Sequence, residues 1–296
     1  MSVIDINNIT KDYGHGRGVF DVTFAVEKGE VVGFLGPNGA GKTTTIRLLC
    51  GFTRPDGGMV SINGMDCFAD RSLIQQNMGY LPGEIAFMDD MTGTEFIRFA
   101  AKMRHMTDMT RAEELMKLFE LDASGKIKKM SKGMKQKIGI VCAFMHSPDI
   151  LVLDEPTSGL DPLMQNKFVQ LILEEKAKGK TILMSSHMFE EVERTCDRTA
   201  IIKDGHIVAV EDMDSLRKTR GKTFEITFTS PDAAAAFAAK YKLPAAGVSR
   251  DVVSVKVREN LPSLLNALSV EPVKDLNVRA QTLEELFMHY YGGENK

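Results

Sequence analysis

One short stretch, FLGPNGAGKTTT at residues 34–45, constrains the fold more than any other part of the sequence. Three glycines and a lysine follow directly on the apolar run VVGFL, which is typical of a short buried strand, and they precede a segment with the pattern of a helix. Glycines at such a turn let consecutive backbone N–H groups point into one concavity where an anion can sit. The stretch also fits the phosphate-binding pattern G-x-x-x-x-G-K-S/T. The sequence therefore predicts that the chain binds a nucleoside triphosphate.

Each position of this loop has an expected role in holding a nucleotide. Lys42 is expected to reach the outer phosphates, and the Thr43 hydroxyl is expected to ligate Mg²⁺. The N-terminus of the next helix adds a partial positive charge, and Gly51 is placed to end that helix. The other predicted contacts to ATP in this loop are Gly36, Pro37, Asn38, Gly39, Ala40, Gly41 and Thr44. The alternative is a glycine-rich turn without a ligand, which the complete pattern in a strand–loop–helix context disfavours.

A second group of candidate residues lies further along the chain, in ILVLDEP at residues 150–156. An apolar strand there delivers two carboxylates at its polar end. Asp154 is placed to hold magnesium, and Glu155 is placed to polarise the attacking water. His187 follows the next predicted strand, where it could hydrogen-bond the γ-phosphate or the water. Acidic strand ends and lone histidines are common in protein cores, so the preceding phosphate loop is what favours the catalytic interpretation.

Composition excludes several other classes of protein. Of the 296 residues, 43% are hydrophobic and 26% are charged, and the net charge of −3 gives no general attraction to nucleic acid or anionic lipid. The four cysteines have no metal-ligand spacing, so they are expected to be reduced packing residues. The N-terminus shows no signal pattern, and no apolar run approaches the roughly 20 residues that cross a bilayer. We therefore expect a cytosolic chain that does not span a membrane.

These motifs, in this order, resemble the nucleotide-binding subunits of ABC transporters over residues 3–210. Residues 36–43 match the Walker A loop and residues 150–155 match Walker B with its catalytic glutamate. Tyr13 matches the aromatic residue that stacks on adenine, and His187 matches the switch histidine. Asp161 ends the SGLD of the D-loop, while Ser131 and Gly133 lie in MSKGMKQ, at the place of the signature motif. The resemblance implies an ATPase that uses ATP and Mg²⁺.

Two departures from the family pattern are visible. In the signature, Lys132 and Met134 replace the usual glycine and glutamine, although phosphate contact is expected to survive through Ser131, the Gly133 backbone and the helix N-terminus. In the Q-loop, YLPGE places Gly83 where the glutamine is expected, with Glu84 next. Glu84 either substitutes for that glutamine or is a solvent-facing loop acid, and the sequence leaves these alternatives open.

The resemblance also implies partners. Each ATP in this family lies between the Walker motifs of one subunit and the signature of another, and this chain has one copy of each motif. A second ATPase subunit is therefore expected, most simply in a homodimer, although a heterodimer stays open. A separate transmembrane permease is expected to hold the chain at the inner face of the cell membrane. Nucleic acid is not expected as a partner, since the lysine-rich segment at residues 125–137 has no interleaved aromatic residues.

The expected fold is α/β, a P-loop NTPase with a mostly parallel central sheet, an antiparallel β subdomain and a helical insertion. The insertion covers residues 92–121, with Thr110 and Glu113 as a predicted capping box. We place an ATPase domain at residues 1–220 and a small α+β accessory domain at residues 221–296, whose last helix begins with a Thr282/Glu285 capping box.

This C-terminal extension resembles that of ATPases that drive exporters of drugs, antibiotic peptides or polysaccharides. The expected function is ATP-driven dimer closure and hydrolysis coupled to export. The alternatives are the ATPase of an importer, or a soluble ABC ATPase that acts on nucleic acid or ribosomes.

Overall fold

The computed structural model describes residues 2–88, 90–219, 222–241, 245–257 and 261–280, together with Thr282 and Glu285. The chain divides into two compact units, Met1–Met213 and Asp214–Lys296. This division assigns nearly all of the helix that spans Met213–Thr219 to the second unit, whereas a boundary at residue 220 assigns it to the first.

The part of the chain before residue 220 contains two sheets and the helices around them. Its strands are β1 (Ser2–Asp12), β2 (Gly18–Glu27), β3 (Val31–Leu35), β4 (Gly57–Ile62), β5 (Met65–Asp66), β6 (Met78–Leu81), β7 (Ile150–Asp154), β8 (Thr181–Ser186), β9 (Arg198–Lys203) and β10 (His206–Asp212). Its helices are α1 (Lys42–Leu49), α2 (Arg71–Asn77), α3 (Gly93–Met103), α4 (Thr110–Leu118), α5 (Lys132–Phe144), α6 (Pro162–Ala177), α7 (Phe189–Thr195) and α8 (Met213–Thr219).

The central sheet has the strand order β10-β9-β3-β8-β7-β6. All neighbours are parallel except β10, which pairs with β9 in an antiparallel hairpin. Every residue of β3 and β7 is buried, as expected for parallel strands that are covered on both faces. In register, Leu35 lies opposite Ser186, and Asp154 lies opposite Ser185. The loops that follow β3, β7 and β8 therefore meet at one edge of the sheet, which confirms the predicted fold class.

The second sheet, β2-β1-β4-β5, is antiparallel throughout. One hydrophobic cluster joins it to α1 and to the central sheet, with Ile4, Leu48 and Val152 among its fully buried members. Phe24 of β2 and Phe34 of β3 meet in this cluster, with 5.1 Å between their ring centroids. This core fixes α1 between the two sheets and therefore fixes the loop that leads into α1.

The helical insertion contains α3 and α4, and its capping corrects one prediction. The capping box lies at Thr92 and Glu95, where each side chain accepts a hydrogen bond from the other residue's backbone N–H. The box predicted at Thr110 and Glu113 is wrong. Thr110 is already the first residue of α4, and its hydroxyl donates to a carboxylate oxygen of Asp108 at 2.6 Å instead of capping the helix.

The second unit contains β11 (Lys222–Phe228), α9 (Pro231–Tyr241), β12 (Ala245–Ser249), β13 (Val252–Val257), α10 (Leu261–Leu268) and β14 (Val273–Ala280). Its sheet has the order β12-β13-β11-β14 with antiparallel neighbours, which is a ferredoxin-like βαββαβ arrangement. A separate core holds Phe228 and Phe237, with ring centroids 4.9 Å apart. The sequence AAGVS of β12 has no period-two pattern of apolar residues, whereas Leu276, Val278 and Ala280 of β14 alternate with polar residues.

The predicted last helix lies mostly outside the described residues. Its capping residues are described, and the backbone N–H of Thr282 and that of Glu285 each donate to the other's side chain at 3.2 Å. Among the helices that the structure describes, none combines the length and the apolar character needed to cross a bilayer.

Candidate functional site

The loop between β3 and α1 folds around its own lysine. Lys42 is only 6% exposed, and its Nζ donates to the carbonyl oxygens of Gly36 at 2.6 Å and Pro37 at 3.3 Å. A carboxylate oxygen of Glu155 lies 3.2 Å from the same Nζ. A buried ammonium group requires such partners. The sequence placed Lys42 in this loop, and the structure adds that Lys42 reaches across to the strand end that carries Glu155.

The N-terminus of α1 keeps its backbone donors free for an anion. Its N-cap is Gly41, which supplies no side-chain cap, and its first turn contains no acidic residue. Gly41 has a φ of 113°, and a Cβ there would lie 2.6 Å from the Cγ1 atom of Val19. Only glycine satisfies both the left-handed backbone and the close approach of β2. Ala40, by contrast, is buried in the core and serves to anchor the loop.

A hydroxyl and a carboxylate face each other beside this loop. The Thr43 hydroxyl donates to one oxygen of Asp154 at 2.8 Å, and the Ser185 hydroxyl donates to the other at 2.5 Å. The backbone N–H of Glu155 donates in turn to Ser185 at 3.0 Å. Asp154 is 1% exposed, so its carboxylate is positioned almost entirely by protein groups. Ser185 was not predicted as a site residue, although it lies in the same MSSHM segment as His187.

Glu155 and His187 form a pair at the edge of the sheet. His187 Nδ1 lies 2.6 Å from a carboxylate oxygen of Glu155. The backbone of Glu155 has a φ of 48°, in the left-handed region that non-glycine residues rarely occupy. Such strain is held in place by surrounding contacts and is frequent at functional sites. The imidazole is 53% exposed and so remains accessible from solvent.

Lys42, Thr43 and Glu155 line a common cavity of about 450 Å³, and Asp154 and His187 contact two of its lining residues, Thr43 and Glu155. Tyr13, which is about half exposed, and Glu155 both line this cavity. The other predicted residues that line it are Pro37, Asn38, Gly39, Gly41, Lys42, Thr43 and Thr44. The structure thus brings the residue predicted to stack on the base, the phosphate loop and the glutamate predicted to be catalytic to one cavity.

The predicted residues of the signature and the D-loop do not line this cavity. Ser131 caps α5 by accepting from the N–H of Met134 at 3.2 Å, and Asp161 caps α6 by accepting from the N–H of Met164 at 3.0 Å. A Cβ on Gly133 would lie 2.7 Å from the Gly159 carbonyl oxygen, so the start of α5 packs tightly on the D-loop. Within one copy of the chain, none of the three lines the cavity that holds Lys42.

Glu155 and Thr43 also line a second cavity of about 450 Å³. The exposed residue Glu84 lines it, and a Cβ at Gly83 would lie 3.2 Å from Asp154 Oδ2, so position 83 faces the carboxylate directly. Lys132 also lines it and donates from Nζ to the Ser158 hydroxyl at 2.8 Å. This bridge between signature and D-loop was not predicted, since it depends on a contact between distant segments.

Comparison with known proteins gives the family that these motifs predict. Residues 19–158 match the family described as ABC transporter. The linearmycin resistance ATP-binding protein LnrL of Bacillus subtilis is 37% identical over 70% of this chain and 68% of its own length. The ATP-binding protein YtrB of the same organism is 30% identical over 99% of this chain and 100% of its own length. The bacitracin transport ATP-binding protein BcrA of Bacillus licheniformis is 31% identical over 99% and 98%.

Solved structures give the same result. The structure of an ABC transporter ATP-binding subunit has a TM-score of 0.66 at 34% identity, covering 73% of this chain and 92% of that chain. The dimeric structure of MJ0796, a bacterial ABC transporter cassette, has a TM-score of 0.65 at 25% identity, covering 71% and 98%. The chain therefore belongs to the ABC transporter ATP-binding proteins, and it is the ATP-hydrolysing subunit of such a transporter.

Proposed function

We propose that this chain drives an exporter, in which a separate membrane permease carries the substrate. The proposal is supported by two relatives whose names refer to resistance to linearmycin and to bacitracin transport. The bacitracin relative aligns over nearly the whole chain, so the similarity includes the C-terminal unit as well as the ATPase unit. The protein would then sit at the inner face of the membrane through its permease.

The pairing of Glu155 with His187 beside Lys42 carries the catalytic part of this proposal. Lys42 is held by two carbonyl oxygens and a carboxylate, which phosphate oxygens of ATP would replace. Release of Lys42 frees Glu155 to accept a proton from the attacking water. His187, at hydrogen-bond distance from Glu155, holds that carboxylate in place during in-line attack on the γ-phosphate.

Thr43 and Asp154 fit a magnesium ion. Their side-chain oxygens lie 2.8 Å apart, and hydroxyl and carboxylate oxygens are the hard donors that Mg²⁺ prefers. Among the described residues no cluster of three or more His, Cys, Asp or Glu side chains could hold a metal ion. This agrees with a site where the protein supplies few ligands and the nucleotide phosphates supply others. When bound, the ion would neutralise charge on the β- and γ-phosphates.

A second subunit is needed to use the signature residues. Ser131 and Gly133 lie at the start of α5, and Asp161 lies at the start of α6, away from the Lys42 cavity of the same copy. Helix N-termini offer backbone donors for phosphate. We propose that Ser131 and Gly133 contact the γ-phosphate held by a partner copy, as in a homodimer. The similar cassette that was solved as a dimer supports this arrangement.

The Glu155→Gln variant tests the mechanism. The amide keeps the shape of the side chain but cannot accept the proton, so we expect turnover to fall at least about 100-fold, the scale of general-base effects. The variant should still bind ATP and should accumulate as an ATP-bound dimer in size-exclusion chromatography. The exposed Glu190→Gln variant on α7 is the matched control and should keep normal turnover. Near-normal turnover of Glu155→Gln would remove Glu155 from the role of general base.

The same variant tests the export proposal. Tagged Glu155→Gln, captured from gently solubilised membranes in the presence of ATP, should bring down a stoichiometric partner with several membrane-spanning helices. Transport assays with that partner then separate efflux from uptake. Recovery with ribosomal proteins or DNA, and with no membrane protein, would contradict the proposal and leave only the ATPase activity.

A further inference from the structure

An acidic side chain on α7 is buried against the two loops that carry Glu155 and His187. Glu191 is 5% exposed, and one of its carboxylate oxygens accepts hydrogen bonds from two hydroxyls. Ser186 donates at 2.7 Å and Thr157 donates at 3.3 Å. Its other oxygen has no hydrogen-bond partner among the described residues. A carboxyl group in such a place is costly and requires an explanation.

The two hydroxyls belong to the loops that carry the catalytic pair. Ser186 directly precedes His187, and its hydroxyl also accepts from the N–H of Met188 at 2.9 Å, so the backbone on both sides of the imidazole is held. Thr157 lies two residues after Glu155. The carboxylate of Glu191 thus links the loop after β7 to the loop after β8 through hydrogen bonds to a residue of each.

We propose that Glu191 is a positioning residue of ATP hydrolysis, which holds the loops of Glu155 and His187 so that the pair keeps its 2.6 Å contact. This inference rests on the catalytic roles proposed above for those two residues. It assigns no contact between Glu191 and the nucleotide. The effect passes through Thr157 and Ser186, because these hydroxyls connect Glu191 to each half of the pair.

The protonation state of Glu191 matters for this role. Burial raises the pKa of Glu191 to about 7, with the Ser186 and Thr157 hydroxyls acting in the opposite direction. The nearby charge of Glu155 raises the pKa further, and His187 lowers it. A neutral carboxyl can hold the loops without adding negative charge beside Glu155 and the triphosphate. An ionised one adds that charge inside the protein, where it is poorly screened.

Glu155 and His187 face Glu191 from the loops after β7 and β8, and the further charged groups near it lie on its own helix. Glu190 and Arg194 line a cavity of about 280 Å³ together with Glu191. Arg194 donates to the Asn166 side chain at 2.7 Å, which holds the guanidinium toward α6. Cys196 lies two residues after Arg194, and burial raises the pKa of its thiol, so the thiol stays neutral from pH 6 to pH 8.5. The part of the pH dependence of turnover near pH 7 that disappears in Glu191→Gln is therefore the part assigned to Glu191.

Steady-state ATPase assays of the full chain from pH 6 to pH 8.5 test the proposal. Wild-type kcat should fall as pH rises through about 7, and Glu191→Gln should lack this decline while keeping kcat within about twofold at pH 6. Glu191→Ala should lose at least about tenfold in kcat across the range with little change in KM, because small misplacements of catalytic groups cost up to about 100-fold. Glu190→Gln is the control and should follow the wild-type profile.

A double-mutant cycle identifies the route of the effect. If Glu191 acts through Ser186, adding Ser186→Ala to Glu191→Ala should cause little further loss of kcat. Parallel pH profiles for wild type and Glu191→Gln, or equal changes in KM and kcat for Glu191→Ala, would overturn the proposal. Glu155→Gln is assayed alongside: if it retains turnover, the proposed mechanism itself has failed. If it abolishes turnover while Glu191 variants behave like wild type, only the role of Glu191 has failed.

Discussion

The buried carboxyl of Glu191 should make the stability of the whole protein depend on pH. In the unfolded chain this group ionises near its ordinary pKa of 4.5, whereas in the folded protein burial raises the pKa to about 7. Between these values the folded state binds a proton that the unfolded state has lost. The contribution of Glu191 to stability is therefore most favourable at and below about pH 4.5, falls as pH rises toward 7, and levels off above that.

The magnitude follows from the size of this shift. A difference of one pKa unit corresponds to about 1.36 kcal/mol, so the shift from 4.5 to about 7 corresponds to roughly 3 kcal/mol. Glu191→Gln removes the titration but keeps the shape of the side chain. We expect the free energy of unfolding of the variant, relative to wild type, to rise by about this amount between pH 4.5 and pH 8.

Urea unfolding at several pH values measures this difference. The chain has no tryptophan, so far-ultraviolet circular dichroism is the appropriate signal. His146 acts in the opposite direction, because burial beside Arg104 lowers its pKa to about 4 and stability is lost as pH falls from about 6.5. Subtracting wild type from variant cancels this effect and isolates Glu191. A difference that stays constant from pH 4.5 to pH 8 would refute the reasoning.

Three other variants test the phosphate loop, the signature and the pH dependence of stability. Lys42→Ala should weaken ATP binding by about 10- to 100-fold in calorimetry, since a hydrogen bond to a charged group contributes about 1.5–3 kcal/mol; unchanged affinity would contradict the assignment of the phosphate loop. Ser131→Ala should lower turnover while leaving the ATP affinity of the dilute chain nearly intact. Equal losses of turnover and ATP affinity would show that the serine acts only as the N-cap of α5. His146→Gln should lessen the drop in melting temperature between pH 6.5 and pH 4, because the buried imidazole no longer has to take up a proton; an unchanged drop would show that other groups cause it.

The sequence by itself determined the parts of this protein that depend on local chemistry. The phosphate loop was predictable because only glycine fits a backbone such as that of Gly41, and because Lys42 and Thr43 follow it at a fixed spacing. The buried strands β3 and β7 were predictable from short continuous apolar runs. Asp154, Glu155 and His187 were identifiable because they follow predicted strands, whose carboxyl ends share one edge of a parallel sheet.

Tertiary structure decided which distant side chains meet. The strand order β3-β8-β7 places Ser185 against Asp154, and the packing of α7 places Glu191 between Thr157 and Ser186. No local pattern marks these residues, because a serine at a strand end and a glutamate on a short helix are common in any sequence. Burial and neighbours that come from other segments raise the pKa of Glu191, and they exist only once the sheet and its helices have assembled.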